Sequence, residues 1–206
     1  MTFLINEIKL KNPGIIRSNI PQELFQELQA AVQKQTSFKN ALQHRSAQRN
    51  DKLAGMIEDE FTFTQPKNFT KFLNDLFVAY KEHFNAFTNT EITRHESWIN
   101  LQKKTEYNPT HLHSGTLSWV AWLTIPYDIQ EEDSYSNSKM SKDKYNARFT
   151  FTYSMLKGDI THHHLDIDKS WEGSIILFPS YLYHSVNPFY TSDEVRISLA
   201  GNMWAQ

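Results

Sequence analysis

The feature that most constrains this chain is a change in the period of its apolar residues near position 90. Before that point Phe69, Phe72, Leu73, Leu76, Phe77, Tyr80 and Phe84 recur at helical spacing with charged residues between them, which predicts a helix over about 67–86. Leu24, Phe25, Leu28, Ala31 and Val32 repeat the pattern after Asn19-Ile20-Pro21, where asparagine can cap and proline can take the first turn, so another helix is expected over about 21–34. Beyond 90 the period becomes that of strands. Alternation runs through Ser97–Gln102, a dense apolar run fills Leu117–Ile125, and aromatics fall at Phe149, Phe151 and Tyr153; further strands fit 160–166, 174–178 and 195–201. Many short strands separated by turns predict a mainly β protein, an antiparallel barrel or sandwich of jelly-roll type, with helices packed outside it. Residues 1–90 read as helical support and 91–206 as the jelly-roll core of a single domain.

The intervening segments carry less pattern. Gln35 to Asp51 is polar, Leu53–Glu60 breaks into a short extended stretch, and residues 127–146 read as an exposed, mobile loop that is either a lid or a tolerated insertion. With 39% hydrophobic and 14% aromatic residues the chain is globular, and its core should be rich in Phe, Trp and Tyr. Lys+Arg 21 against Asp+Glu 23 leaves a formal charge of −2, so no global field favours nucleic acid or an anionic membrane. No apolar run approaches the roughly 20 residues that span a bilayer, and Met1-Thr2-Phe3-Leu4-Ile5-Asn6-Glu7 lacks the charged-then-apolar pattern of a signal peptide, so a cytoplasmic protein is expected. Zero cysteines fit a reducing compartment and exclude disulfides, thiolate nucleophiles and thiolate metal sites. Any metal must sit on histidine, carboxylate or carbonyl.

Against that background His111-Leu112-His113 stands out. Side chains two apart in a strand share a face, so both imidazoles can converge on one ion, with His184 of a distant strand as the third nitrogen. Three protein ligands leave positions open, which is the shape of a catalytic site. Pro179 closes a strand in Phe178-Pro179-Ser180, which places His184 near a barrel rim. Arg196 and Ser198 share a face of the next strand and offer a bidentate guanidinium and a hydroxyl to a carboxylate.

Taken in order, Trp98-Ile99-Asn100, Tyr107-Asn108-Pro109-Thr110-His111-Leu112-His113, Leu117 to Leu123, Gly173-Ser174-Ile175-Ile176-Leu177-Phe178-Pro179-Ser180, His184-Ser185-Val186 and Arg196-Ile197-Ser198-Leu199-Ala200-Gly201-Asn202 resemble the 2-oxoglutarate- and Fe(II)-dependent oxygenases, in the branch related to prolyl 4-hydroxylases. Leu53-Ala54-Gly55 resembles an upstream element of the same branch. The resemblance implies a double-stranded β-helix, the jelly-roll or cupin-like fold, with Fe(II) on His111, His113 and His184 and 2-oxoglutarate on Arg196 and Ser198. It also implies pocket positions for Asn100 and Trp122, and a reaction with O2 that yields succinate and carbon dioxide and hydroxylates a C–H bond. The wider superfamily usually carries an acidic residue where this chain has His113. The substrate it implies is unknown and peptidyl only by analogy with the branch.

Other readings compete. His164-Leu165-Asp166 with His184 has the superfamily's ligand types, but too little chain separates its halves for the intervening strands. The histidines alone equally permit a cupin-type metal dioxygenase that needs no 2-oxoglutarate and no Arg196. A non-catalytic jelly-roll binding or structural protein is the third possibility. Taken singly, a histidine pair is more often ordinary core or surface, and an arginine more often an ion-pair partner. His162-His163-His164 reads as an exposed strand end, Asp166 and Asp168 as solvated turn residues, and the aromatics of 69–84 and 149–153 as core.

Overall fold

Alternation along the strands divides the protein into two cores, one on each face of its larger sheet. The computed structural model describes residues 12–37 and 55–206. In chain order these form β1 (Ile16–Asn19), α1 (Gln22–Thr36), β2 (Asp59–Thr62), α2 (Lys67–Phe84), β3 (Ile92–Gln102), β4 (Asn108–His111), β5 (Leu117–Thr124), α3 (Ile129–Ser134), β6 (Phe149–Ser154), β7 (Ile160–Leu165), β8 (Ser174–Pro179), β9 (Tyr183–Val186) and β10 (Arg196–Ala205). Two antiparallel sheets result, one of six strands in the order β1-β8-β5-β10-β3-β2 and one of four in the order β4-β9-β6-β7. This is the expected mainly β double-stranded β-helix with flanking helices. Among the described residues no helix is long and apolar enough to cross a membrane.

On the outer face of the larger sheet, Ile99, Leu117, Trp119, Ala121, Leu123, Ile175, Leu177, Leu199 and Met203 pack against Leu24, Leu28 and Val32 of α1 and Phe69, Leu73, Leu76, Phe77 and Tyr80 of α2. Phe69 meets the Trp119 ring edge to face at 5.3 Å, a geometry that adds roughly 0.5–1.5 kcal/mol to burial. The alternate residues of the same strands turn inward: Trp122, Ile176 and Phe178 join Phe149 and Phe151 of β6 in a second core between the sheets. Helices thus occupy one face of the large sheet and leave the other to a site. Gly201 lies where β10 passes the Trp119 ring; a Cβ there would meet Trp119 at 2.6 Å and the Glu96 carbonyl at 2.4 Å. Gly201→Ala should therefore cost about 3 kcal/mol, read as a lower urea midpoint at unchanged slope.

Boundaries differ from the sequence reading where tertiary pairing takes over. Asn19 is the last residue of β1, opposite Ser174, and not the cap of α1, which follows Pro21 without a side-chain cap bond. Asn85 in the left-handed region (φ 47°) ends α2 at Phe84. β3 starts at Ile92 and β10 runs to Ala205 because the two pair along their whole length. β1, β2, β4 and β9 have four residues each, too short to register as a period. Most of Gln35–Asp51, and Leu53 and Ala54, lie outside the described residues. Among the described residues of the expected extended stretch, Asp59 and Glu60 are in a strand.

The polar segment 127–146 is largely exposed, as expected, but the short helix α3 and a few buried side chains tie it to the rest of the fold. Asp128 caps α3 by accepting from the Gln130 N–H (2.8 Å). Glu132 is 0% exposed and accepts from the Tyr190 N–H (2.9 Å), the Thr191 N–H (2.7 Å) and the Thr191 hydroxyl (2.7 Å). The buried Arg148 guanidinium bridges Asp133 (3.0 Å) and Asp166 (2.9 Å), so Asp166 is an ion-pair partner as well as a turn residue. These partners are too far apart in sequence for composition to reveal.

Candidate metal centre

His111 and His184 face each other across the antiparallel pair β4–β9. The strand stops at His111, so His113 does not share its strand face as the sequence spacing predicted. The chain turns out of the strand at Leu112, and the His113 N–H donates to the Ser180 carbonyl (2.9 Å), which brings the third ring back over the other two. Ring centroids are 4.9 Å (His111–His113), 4.4 Å (His111–His184) and 5.1 Å (His113–His184) apart. One nitrogen from each ring lies within 4.8 Å of the others, and among the described residues no other cluster of three or more metal-capable side chains forms.

Backbone carbonyls orient two of the rings. His111 Nδ1 lies 2.6 Å from the Pro109 oxygen and His184 Nδ1 2.9 Å from the Leu182 oxygen. A carbonyl only accepts, so Nδ1 carries the hydrogen and Nε2 keeps its lone pair for an ion. Burial pushes the pKa of His184 well below that of an ordinary histidine, the neighbouring His111 lowers it further, and the Leu182 carbonyl opposes the shift. Burial lowers His111 as well, against the pull of the Pro109 carbonyl. Neutral imidazoles are the form that binds metal. Phe149 stacks on His184 at 5.4 Å and Phe178 meets it edge-on at 5.0 Å, a wall that excludes water. Three uncharged nitrogens with open positions suit Fe(II) and the later first-row divalent ions alike.

The three histidines line a cavity of about 300 Å³ together with Asn100, Trp122, Arg196 and Ser198, so the residues given a metal or cosubstrate role from sequence meet in one place, whereas Trp119 packs in the core on the other face of the sheet. Asn100 lies opposite Ser198 in the β3–β10 register, and its buried Oδ1 has no hydrogen-bond partner. Arg196 is 2% exposed. Its Nη1 donates to the Tyr127 hydroxyl (2.7 Å) and the Ala147 carbonyl (3.2 Å), Nη2 to the Asn187 carbonyl (3.3 Å) and Gln102 Oε1, and Nε to Gln102 Oε1 (3.1 Å). None of these acceptors is a carboxylate. A buried cation paired only with neutral groups is costly unless an anion joins it, which fits a carboxylate ligand in this cavity.

The competing triad is not assembled. His164 Nδ1 bonds the Thr150 hydroxyl (2.8 Å) while its ring packs on Tyr145, and Asp166 is held by Arg148. His162, His163 and His164 fall within β7, an edge strand. Sequence reasoning missed Gln102 and Tyr127. Gln102 shares the alternating face of Trp98 and Asn100 and was legible by period; Tyr127 follows the end of β5, where no period applies.

Residues 96–202, just over half the chain, match a family model described as "Putative 2OG-Fe(II) oxygenase". Among solved structures the fold is similar to a prolyl-4-hydroxylase from Pseudomonas putida, with TM-score 0.61, 14% identity, and 93% of this chain and 92% of that one covered. It is also similar to a prolyl hydroxylase from Trichoplax adhaerens in complex with a hypoxia inducible factor oxygen degradation domain peptide fragment, with TM-score 0.55, 13% identity, and 93% and 84% covered. A viral collagen prolyl hydroxylase from Paramecium Bursaria Chlorella virus-1, in its 2OG complex, aligns with TM-score 0.50 at 10% identity, with 93% and 94% covered. The curated proteins gave no match.

Proposed function

This chain belongs to the 2-oxoglutarate- and Fe(II)-dependent oxygenase family, and on that premise we propose that His111, His113 and His184 hold its iron while Arg196, Ser198 and Asn100 receive 2-oxoglutarate. The observation that carries the assignment is one cavity lined by three convergent imidazoles and a buried guanidinium that has no carboxylate partner among the described residues. Bound together, iron, 2-oxoglutarate and O2 supply oxidative decarboxylation to succinate and carbon dioxide, coupled to hydroxylation of a substrate C–H bond.

The chain's own residues set the conditions. The carbonyls of Pro109 and Leu182 fix the rings of His111 and His184, so the lone pairs are aimed before any ion arrives. With a neutral His113 in place of an acidic residue, the protein adds no anion to the ion, and the keto-acid end of the dianionic cosubstrate would supply the only negative charge beside it. Arg196 balances the far end of that dianion, and Phe149, Phe178 and Trp98 keep water from the reacting centre. A peptidyl substrate is supported by the fold shared with prolyl hydroxylases, one of them solved with a peptide.

The test is turnover of the cosubstrate without a primary substrate. Aerobic Fe(II)-loaded protein supplied with ascorbate, which takes the place of the substrate as electron donor, should convert 2-oxoglutarate slowly to succinate and carbon dioxide in equal amounts, and His111→Ala should reduce this to the rate of free iron. Release of neither product above the free-iron rate would refute the assignment.

A further inference from the structure

Arg196 has a full set of hydrogen-bond partners, and one of them lines the cavity. All five N–H donors of Arg196 are engaged, on Gln102, Tyr127, Ala147 and Asn187. Of these four acceptor residues only Gln102 lines the cavity. Gln102 Oε1 accepts from both Nε and Nη2, so a cavity-lining side chain occupies the Nε–Nη2 edge of the guanidinium, an edge that a carboxylate can grip bidentately. Its orientation is fixed: Nε2 donates to the Glu106 carbonyl (2.6 Å), leaving only the oxygen to face Arg196. Gln102 and Arg196 are also direct partners in the β3–β10 register, and each is 2% exposed.

We propose that Gln102 is an internal occupant of the carboxylate anchor, its amide oxygen holding the fork of Arg196 until a dicarboxylate displaces it, so that residue 102 sets cosubstrate affinity. The inference rests on the cosubstrate role given to Arg196 above. A neutral amide oxygen is a weaker partner for guanidinium than a carboxylate, so displacement is favourable, but each binding event first breaks the Gln102 contacts. Removing the amide oxygen removes that cost. Placing a permanent carboxylate there instead neutralises the anchor from within.

Three proteins decide it: wild type, the volume-conserving Gln102→Met and Gln102→Glu, each loaded with Fe(II) and titrated anaerobically with 2-oxoglutarate by calorimetry, with thermal unfolding alongside. Gln102→Met should bind about tenfold more tightly than wild type, and Gln102→Glu at least about tenfold more weakly while remaining folded. Equal or weaker binding by Gln102→Met, with wild-type binding intact, would make Gln102 a support for Arg196 and overturn the inference alone. If Gln102→Met does not fold, undiminished binding by Gln102→Glu overturns it. No binding by any of the three, with iron taken up by all, overturns the proposed function and this inference with it.

Discussion

His184→Ala should abolish tight iron binding, lowering Fe(II) affinity by more than about a hundredfold, since losing a ligand costs at least as much as losing a group that supports one. His184 is the most buried of the three and the one enclosed by Phe149, Phe151 and Phe178. Truncation therefore also opens a cavity and should cost the fold about 2–4 kcal/mol. Stability and metal binding are separable, because His111 is only half-buried. His111→Ala should lose iron to a similar degree with a smaller change in the unfolding midpoint. Both are read by equilibrium dialysis against Fe(II) under argon, with urea unfolding in parallel. Iron retained at wild-type affinity in either variant would remove the ion from this triad.

Arg196→Ala should leave iron binding unchanged and weaken 2-oxoglutarate by about a hundredfold or more, because truncating one partner of a buried, hydrogen-bonded charge pair costs about 2–5 kcal/mol. The fold will also lose stability, since Gln102, Tyr127 and the Ala147 and Asn187 carbonyls lose a donor. Arg196→Lys separates charge from shape. It keeps the cation without the planar fork, so an intermediate affinity is expected. A three-histidine dioxygenase that works without 2-oxoglutarate predicts instead that Arg196→Ala affects stability alone.

The sequence foretold which residues line the cavity more fully than the path that brings them there. Long periodic segments read correctly: the stripe through Phe69–Phe84 is α2, and the dense run from Leu117 is β5. His111, His113, His184, Arg196, Ser198 and Asn100 line one cavity because alternation along β3 and β10 places Asn100, Arg196 and Ser198 on the inner face. What stayed hidden depends on pairing between distant residues. His113 reaches the centre by a turn anchored at Ser180, not by strand period. The segment 127–146 looks solvated by composition, yet Glu132 is buried against Tyr190 and Thr191. Gln102 and Tyr127 join Arg196 only once β10 lies between β3 and β5.

The most direct measurement is the visible absorption of Fe(II)-loaded protein titrated anaerobically with 2-oxoglutarate, wild type beside Arg196→Ala. The structure predicts a weak metal-to-ligand charge-transfer band that saturates in wild type and requires far more 2-oxoglutarate in the variant. Stoichiometric iron with no band at any concentration, or a band equally strong and equally tight in Arg196→Ala, would contradict a site that holds both through these residues.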